Sequence, residues 1–343
     1  MPKHDDFQRQ LAALNALDDP AGAAALPLLR QALAGRSNLL AARAAEIAGE
    51  WALEALRDDL AHAFARFLPD ATRRDPTCAA KHAIAEALVR LEHRDETLFL
   101  TGLRFVQLEP VYGGREDTAA RLRAICAAGL VGMDYPGVLL ELAALLADPE
   151  ADARVGAVRA IARATEPGGL PLLWYKLLIG DEATDVLYEC FAAVLLLEPA
   201  RAAPHVAGYV RRANPSIAEA AALALGESRL PEALPLLRAA WEESDEPAVR
   251  RVILLALAVL RRDEATDFLL DVLANGTAHE AHDALAALEL YRRDDVVWSK
   301  VEKRLTERGL TLPSPSGRGL GRGSPSPRPM GEGQGEGLKG KLP

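Results

Sequence analysis

Aromatic side chains are scarce in this chain: Phe, Trp and Tyr supply 5% of 343 residues, although half of all residues are hydrophobic. A core short of large rings has to be built from Ala and Leu, which suits helices packed at close range. Cysteine is scarce too. Cys78, Cys126 and Cys190 form neither a C-x-x-C pair nor a disulfide-like spacing, which argues against a zinc ribbon and predicts a reducing, cytoplasmic setting. Long apolar runs are missing: the longest, residues 252–260, is half of a membrane span, and the opening MPKHDDFQRQ holds no signal-peptide core. Neither membrane insertion nor secretion is expected.

Positive charge is in deficit. The formal net charge is −9, and residues 311–343 carry five basic side chains (Arg318, Arg322, Arg328, Lys339, Lys341) against Glu332 and Glu336, leaving −12 on the rest. Such a body repels polyanions, so nucleic acid is an unlikely partner. Phosphate loops of the GxxxxGK[ST] kind and a nucleophile on a strand–turn–helix elbow are both missing. No catalytic, cofactor-binding or metal-ligating set is therefore expected, and an enzyme is not the favoured reading.

What the chain does have is self-similarity. Taking "LRAICAAGL" from Leu122 as a template, related stretches begin near Leu40, Ala80, Leu122, Ala153, Val186, Ile217, Val249 and Glu280, with steps of 40, 42, 31, 33, 31, 32 and 31 residues. That period fits a unit of two helices and two short turns. Four positions into each frame stand Ile84, Cys126, Ala157, Cys190, Ala221 and Ile253, and an apolar pair follows three and four positions later, which defines one helix face. Five positions ahead of the frame come Asp75, Asp117, Asp148 and Asp181, each expected to cap the free N–H groups of a first turn. Breaks such as "EPGG", "GESRLP" and "RRDE" separate first from second helices.

The stretches "DPEADARVGAVRAIA" and "DEPAVRRVILLALAVL" resemble HEAT repeats, and are most similar to the short variety of the phycobilisome-lyase HEAT-like family. The resemblance covers roughly residues 37–308. It implies an all-α fold, an α-solenoid wound as a right-handed superhelix of stacked antiparallel helix pairs. Residues 1–36 (Phe7, Leu11, Leu14, Leu17, then the apolar run 26–33) read as an N-terminal helical cap, and 37–310 as the array. Residues 311–343, rich in Pro, Gly and Ser, read as a disordered low-complexity tail. The role implied is a non-enzymatic scaffold or adaptor whose groove binds a protein or peptide; the alternative is a protein that handles bilins or other chromophores, as phycobilin lyases do.

The stretch "QLEPVYGGREDTAARLRA" from Gln107 breaks the pattern inside the 42-residue step. Pro110 disfavours helix and Gly113 and Gly114 permit positive φ, so a turned loop about ten residues longer than its equivalents is expected. Insertions in solenoids fall on one rim and often meet ligands, which makes Arg104, Gln107, Glu109, Tyr112 and Arg115 candidate partner-binding residues. The other reading is a spacer that sets the angle between two halves, with Tyr112 packed down as a plug.

Trp174, Tyr175 and Lys176 are a second candidate set. They could face a damaged nucleotide, as in DNA-repair glycosylases built on HEAT-like helices, or pack between repeats. The dipeptide His279-Glu280, with His282 close by, is similar to the His-Glu pairs by which HEAT-repeat deoxyhypusine hydroxylases hold two irons; it occurs once, whereas such a site needs several, so a solvated helix start is expected. Cys126 and Cys190 fall on the inward face and read as core, and Cys78 lies near a helix start. Arg123, Arg154 and Arg250 recur one place after the frame residue, and are expected to pair with the Asp of their own or the next unit or to face a ligand.

Overall fold

Helix follows helix at nearly constant spacing in the computed structural model, which describes residues 2–19, 22, 24–165, 168–211 and 214–309. The first pair is α1 (Pro2–Asn15) and α2 (Ala25–Ala34), the second α3 (Asn38–Glu50) and α4 (Arg57–Phe67). After a single turn, α5 (Ala71–Arg74), come α6 (Ala79–Arg90) and α7 (Glu96–Leu103), and then two strands, β1 (Leu108–Val111) and β2 (Gly114–Asp117). The next pairs are α8 (Ala120–Gly132) with α9 (Val138–Leu145), α10 (Ala151–Arg163) with α11 (Gly169–Ile179), and α12 (Thr184–Leu197) with α13 (Pro199–Val210). The last are α14 (Pro215–Ser228) with α15 (Ala233–Glu243), α16 (Pro247–Leu260) with α17 (Asp263–Asn275), and α18 (Ala278–Leu288) with α19 (Asp295–Glu307).

First helices pack on the first helices of the neighbouring units, from α3 against α6 through to α16 against α18, and each also packs on a second helix. Packing thus runs between neighbours and not across the array. The fold is an all-α solenoid of nine helix pairs among the described residues. Residues 311–343 lie outside them. Among the described residues, no helix is long and apolar enough to cross a membrane.

The repeat frame lands on the first helices as the periodicity requires. Ile84, Cys126, Ala157, Cys190, Ala221 and Ile253 are all fully buried, and the pairs that follow them, such as Ala87 with Leu88 and Ala256 with Leu257, are buried too. Small side chains set the spacing. Gly226 on α14 faces the backbone of α16, where a Cβ would sit 2.9 Å from Ala256 Cα; Gly156 on α10 meets α8, where a Cβ would sit 2.6 Å from Ala124 Cα. Backbone cannot give way as a side chain can, so these two helix pairs depend on the missing carbon.

Three of the four Asp residues do something other than the capping expected of them. Only Asp75 reaches first-turn N–H groups, accepting from Ala80 N at 2.8 Å and Lys81 N at 3.1 Å. Asp117, Asp148 and Asp181 stop just short of their helices and accept from the N–H two residues on, at Ala119, Glu150 and Ala183. This Asx turn leaves their carboxylates able to accept from cations of their own unit or of the one before. Arg123 donates from Nη1 to Asp117 of its own unit at 2.7 Å and from Nη2 to Asp148 of the next at 2.9 Å. Arg154 makes two parallel bonds of 2.8 Å to Asp181, which also holds Lys176 Nζ at 2.8 Å. At the other end Asp75 holds Lys81 Nζ at 2.7 Å, both side chains fully buried, and accepts from Asn38 of the unit before at 3.2 Å.

Of the two readings of the arginine series, structural pairing is the one realised for Arg123 and Arg154. Arg250 follows a variant of it, reaching Glu280 of the next unit at 2.6 Å. Leu187 and Ala218 hold the same frame position in the units between, so the polar ladder stops at α12. Beyond it, helices are capped by Asn214 and by a Thr277–Glu280 capping box.

Two outcomes are expected. Gly226→Ala should lower unfolding stability by about 1–3 kcal/mol in a denaturant titration, while Gly208→Ala, where no atom lies within 4 Å of the new carbon, should raise it by about 0.5–1 kcal/mol. Lys81→Met should cost about 3–5 kcal/mol by stranding buried Asp75, and adding Asp75→Asn should recover part of that loss.

Candidate functional site

The insertion folds back on itself. Leu108 pairs with Asp117, Glu109 with Glu116, Pro110 with Arg115 and Val111 with Gly114, so the expected turned loop is a two-stranded antiparallel hairpin. Gly113, at φ 89°, lets the chain reverse beside Tyr112. Its stem is tied down. Gln107, buried, donates its N–H to Asp117 at 2.9 Å and its amide to Asp75 O at 2.9 Å and Glu109 at 2.6 Å. Glu109 accepts as well from Thr118 Oγ1 at 2.9 Å and from Thr77 N at 2.6 Å. Thr77 and Cys78 both sit at φ 58°, a region that residues other than glycine seldom enter and that costs on the order of 1–3 kcal/mol per residue.

The candidate residues of this stretch therefore divide. Gln107 and Glu109 belong to the stem and are taken up by internal hydrogen bonds. Arg104 is exposed and pairs with Glu141 of α9 at 2.6 Å. Tyr112 stands fully in solvent, since it occupies the turn with no chain beyond it to cover the ring; it is no plug. Arg115 is exposed near it, and Val106, Leu108 and Val111 are each about half exposed.

On α11 the three candidates point different ways. Trp174 packs its ring edge-on to His205 of α13, with centroids 4.6 Å apart, and Arg201 lies 5.4 Å from its ring, so it joins two units. Lys176 is buried against Asp181 and unavailable to a ligand, a correction to its place in the candidate set: the carboxylate one turn away claims it. Tyr175 is exposed, with Leu178 and Ile179 near it in sequence also exposed. The trio does not converge on one ligand.

A more coherent surface lies across the first helices of three successive units. A groove of about 750 Å³ runs between α6, α8 and α10. Val89, Ala124, Ile125, Ala128, Val131 and Val155 give it an apolar lining, within which Gly156 lies against Ala124. Charge borders it: Arg121 pairs with Glu86 at 2.5 Å, Arg159 with Glu189, and Asp152 and Arg163 complete the edge. Sequence reasoning named none of these residues. A signal was nonetheless there, because the positions held by Ala124, Ile125 and Ala128 in α8 carry Ala42, Arg43 and Glu46 in α3, so polarity drops where a solvated face would keep it.

Comparison with known proteins bears on the framework. A family model described as HEAT repeats matches residues 202–289, from α13 into the turn that ends α18. The chain carries HEAT repeats. No curated protein matches it. Among solved structures, human deoxyhypusine hydroxylase in complex with glycerol is similar at 18% identity, over 78% of this chain and 96% of that one, with a TM-score of 0.30.

The chemistry-bearing side chains singled out from the sequence do not gather into a reactive set among the described residues. Glu280 bonds Thr277 and Arg250, and its carboxyl is held below the usual range by the Thr277 N–H and that guanidinium, while His279 is exposed 3.5 Å from Asp283. Among the described residues no group of three or more His, Cys, Asp or Glu is placed to hold a metal ion. All three cysteines are buried, and burial pushes the Cys78 and Cys190 thiols up to about 12 and Cys126 higher still, the reverse of what a nucleophile needs.

Acid should unfold the array in two stages. Burial, reinforced by Arg121, holds His82 at about 4 against an ordinary 6.5, so stability falls as pH drops from about 6.5 towards 4. Burial alone would raise Asp181, but bonds from Arg154, Lys176 and the Ala183 N–H outweigh it and hold the carboxyl at about 2. Its contribution, about 2 kcal/mol, is complete above pH 4 or so and vanishes towards pH 2. Melting temperatures from pH 7 to 2 should show both losses, with His82→Gln removing the upper one.

Proposed function

We propose that the protein is a non-enzymatic scaffold or adaptor that binds a peptide segment of another protein along its first-helix groove. The observation that carries this reading is the groove itself: an apolar lining shared by three consecutive units and bordered by charges of both signs, the form in which a helical array receives an amphipathic helix or extended peptide. HEAT repeats fit such a role, and the exposed hairpin tip, with Tyr112 and its apolar neighbours, offers a second point of contact on the same chain. The short unit, 31–33 residues between the starts of successive first helices from α8 to α18, is also that of the phycobilisome-lyase HEAT-like repeats. On that ground chromophore handling is the second reading, and co-expression with bilins would then yield a visible absorption band.

The test uses the full chain as bait in three forms: unaltered, Ala128→Trp to fill the groove, and Tyr112→Ala to blunt the hairpin. A partner retained by the unaltered chain should be lost with Ala128→Trp at unchanged melting temperature. Loss with Tyr112→Ala alone would move the site to the hairpin, and turnover of a small molecule by the purified protein would overturn the scaffold reading.

A further inference from the structure

On a chain of net charge −9, one depression has cations as half of its lining residues. Arg36 precedes α3, Arg66 lies near the end of α4, Arg73 and Arg74 lie on α5, and together with Asn38, Phe67 and Pro76 they surround about 580 Å³. Asp70 is the one acid among the lining residues. Asp75, beneath Asn38, is already matched by Lys81. Several arginines elsewhere pair with carboxylates, as in Arg30 with Asp59, Arg104 with Glu141 and Arg121 with Glu86, whereas none of the four in this depression forms an ion pair among the described residues.

Arg66 is the fixed member of the group. It donates to Leu33 O and lies 4.9 Å from the Phe67 ring centre, while its Nε is buried with no hydrogen-bond partner. Burial depresses its pKa, as it must for a guanidinium taken from water without a counter-charge. Arg74 donates to the main-chain oxygen of Arg66 at 3.4 Å, which holds its side chain against the end of α4. Keeping four guanidiniums in one concavity costs repulsion that the single lining carboxylate, Asp70, offsets only in part.

We propose that this pocket binds a phosphoryl group carried by a ligand. A single carboxylate brings one negative charge, too little against four arginines and one aspartate. A phosphate monoester brings about −1.5 to −2 and three strong acceptor oxygens, which the planar forks of arginine meet in pairs. The site takes an isolated group and not a polymer backbone, because the rest of the body is acidic and would repel a chain of phosphates. One wall is Pro76, next to the strained Thr77 that Glu109 of the hairpin holds, so the pocket has a rigid edge even though Arg36, Arg73 and Arg74 are exposed. The inference stands independently of what occupies the first-helix groove.

Calorimetric titration of the full chain with pyrophosphate and with a phosphoserine peptide, at constant ionic strength, tests it. The exposed pair Arg73→Gln/Arg74→Gln should weaken binding about tenfold or more without changing the melting temperature, while Arg229→Gln, on the surface elsewhere, should have no effect. Tighter binding of the peptide would make the natural source a phosphorylated protein, and tighter binding of pyrophosphate a free phosphorylated compound. The proposal fails if neither probe binds, if both bind the double variant as well as the unaltered chain, or if single-stranded oligonucleotide outcompetes both.

Discussion

Asp181 accepts two parallel bonds from Arg154 and a third from Lys176, both of the preceding unit, and it is nearly excluded from water. That arrangement, repeated with variations at Asp148, Asp117 and Asp75, ties the loops of five successive units into one polar column. A buried ion pair gains little net stability over an apolar pair of the same volume, since desolvation consumes most of the attraction. What it does supply is register. Alanine-rich faces tolerate sliding by a turn, whereas Arg123 can satisfy Asp117 and Asp148 together in one alignment only. The groove across α6, α8 and α10 lies within this part of the array, and its apolar lining presupposes helices held in fixed phase.

Much of this was legible in the residues, because periodicity reports burial directly. The frame beginning at Leu40, Ala80 and Leu122 falls near the start of successive first helices, and every residue placed four positions later is inaccessible to water. Arginine pairing was legible for the same reason: one position after the frame residue, in consecutive units, faces one side of the stack. The capping role holds at Asp75 and gives way at Asp117, Asp148 and Asp181, since an Asp before a helix can serve the first turn or form an Asx turn, and with a cation at hand either is open to it. Composition alone does not reveal that cation.

The insertion was harder to read. Pro110 and two glycines announce irregular chain, but whether a ten-residue excursion closes into a hairpin depends on main-chain bonds that leave no apolar pattern. Tyr112 illustrates the limit: an aromatic in a loop is as often covered as displayed, and here the turn carries it clear of everything. The groove escaped notice because its members are merely small. A run of Ala and Val on a face expected to be polar becomes a binding surface only when neighbouring helices line up the same deficit, which is a property of three units and of none singly.

The polar column ends at α12, and from α14 to α18 the first helices meet mainly through Ala, Leu and one glycine set against backbone. The two portions therefore differ in mechanical character. Under tension along its axis, the leading portion behaves as a bolted beam whose joints must break outright, while the trailing portion can shear gradually, its aliphatic contacts re-forming after small displacements. A molecule of this kind offers a stiff platform at one end and a compliant arm at the other.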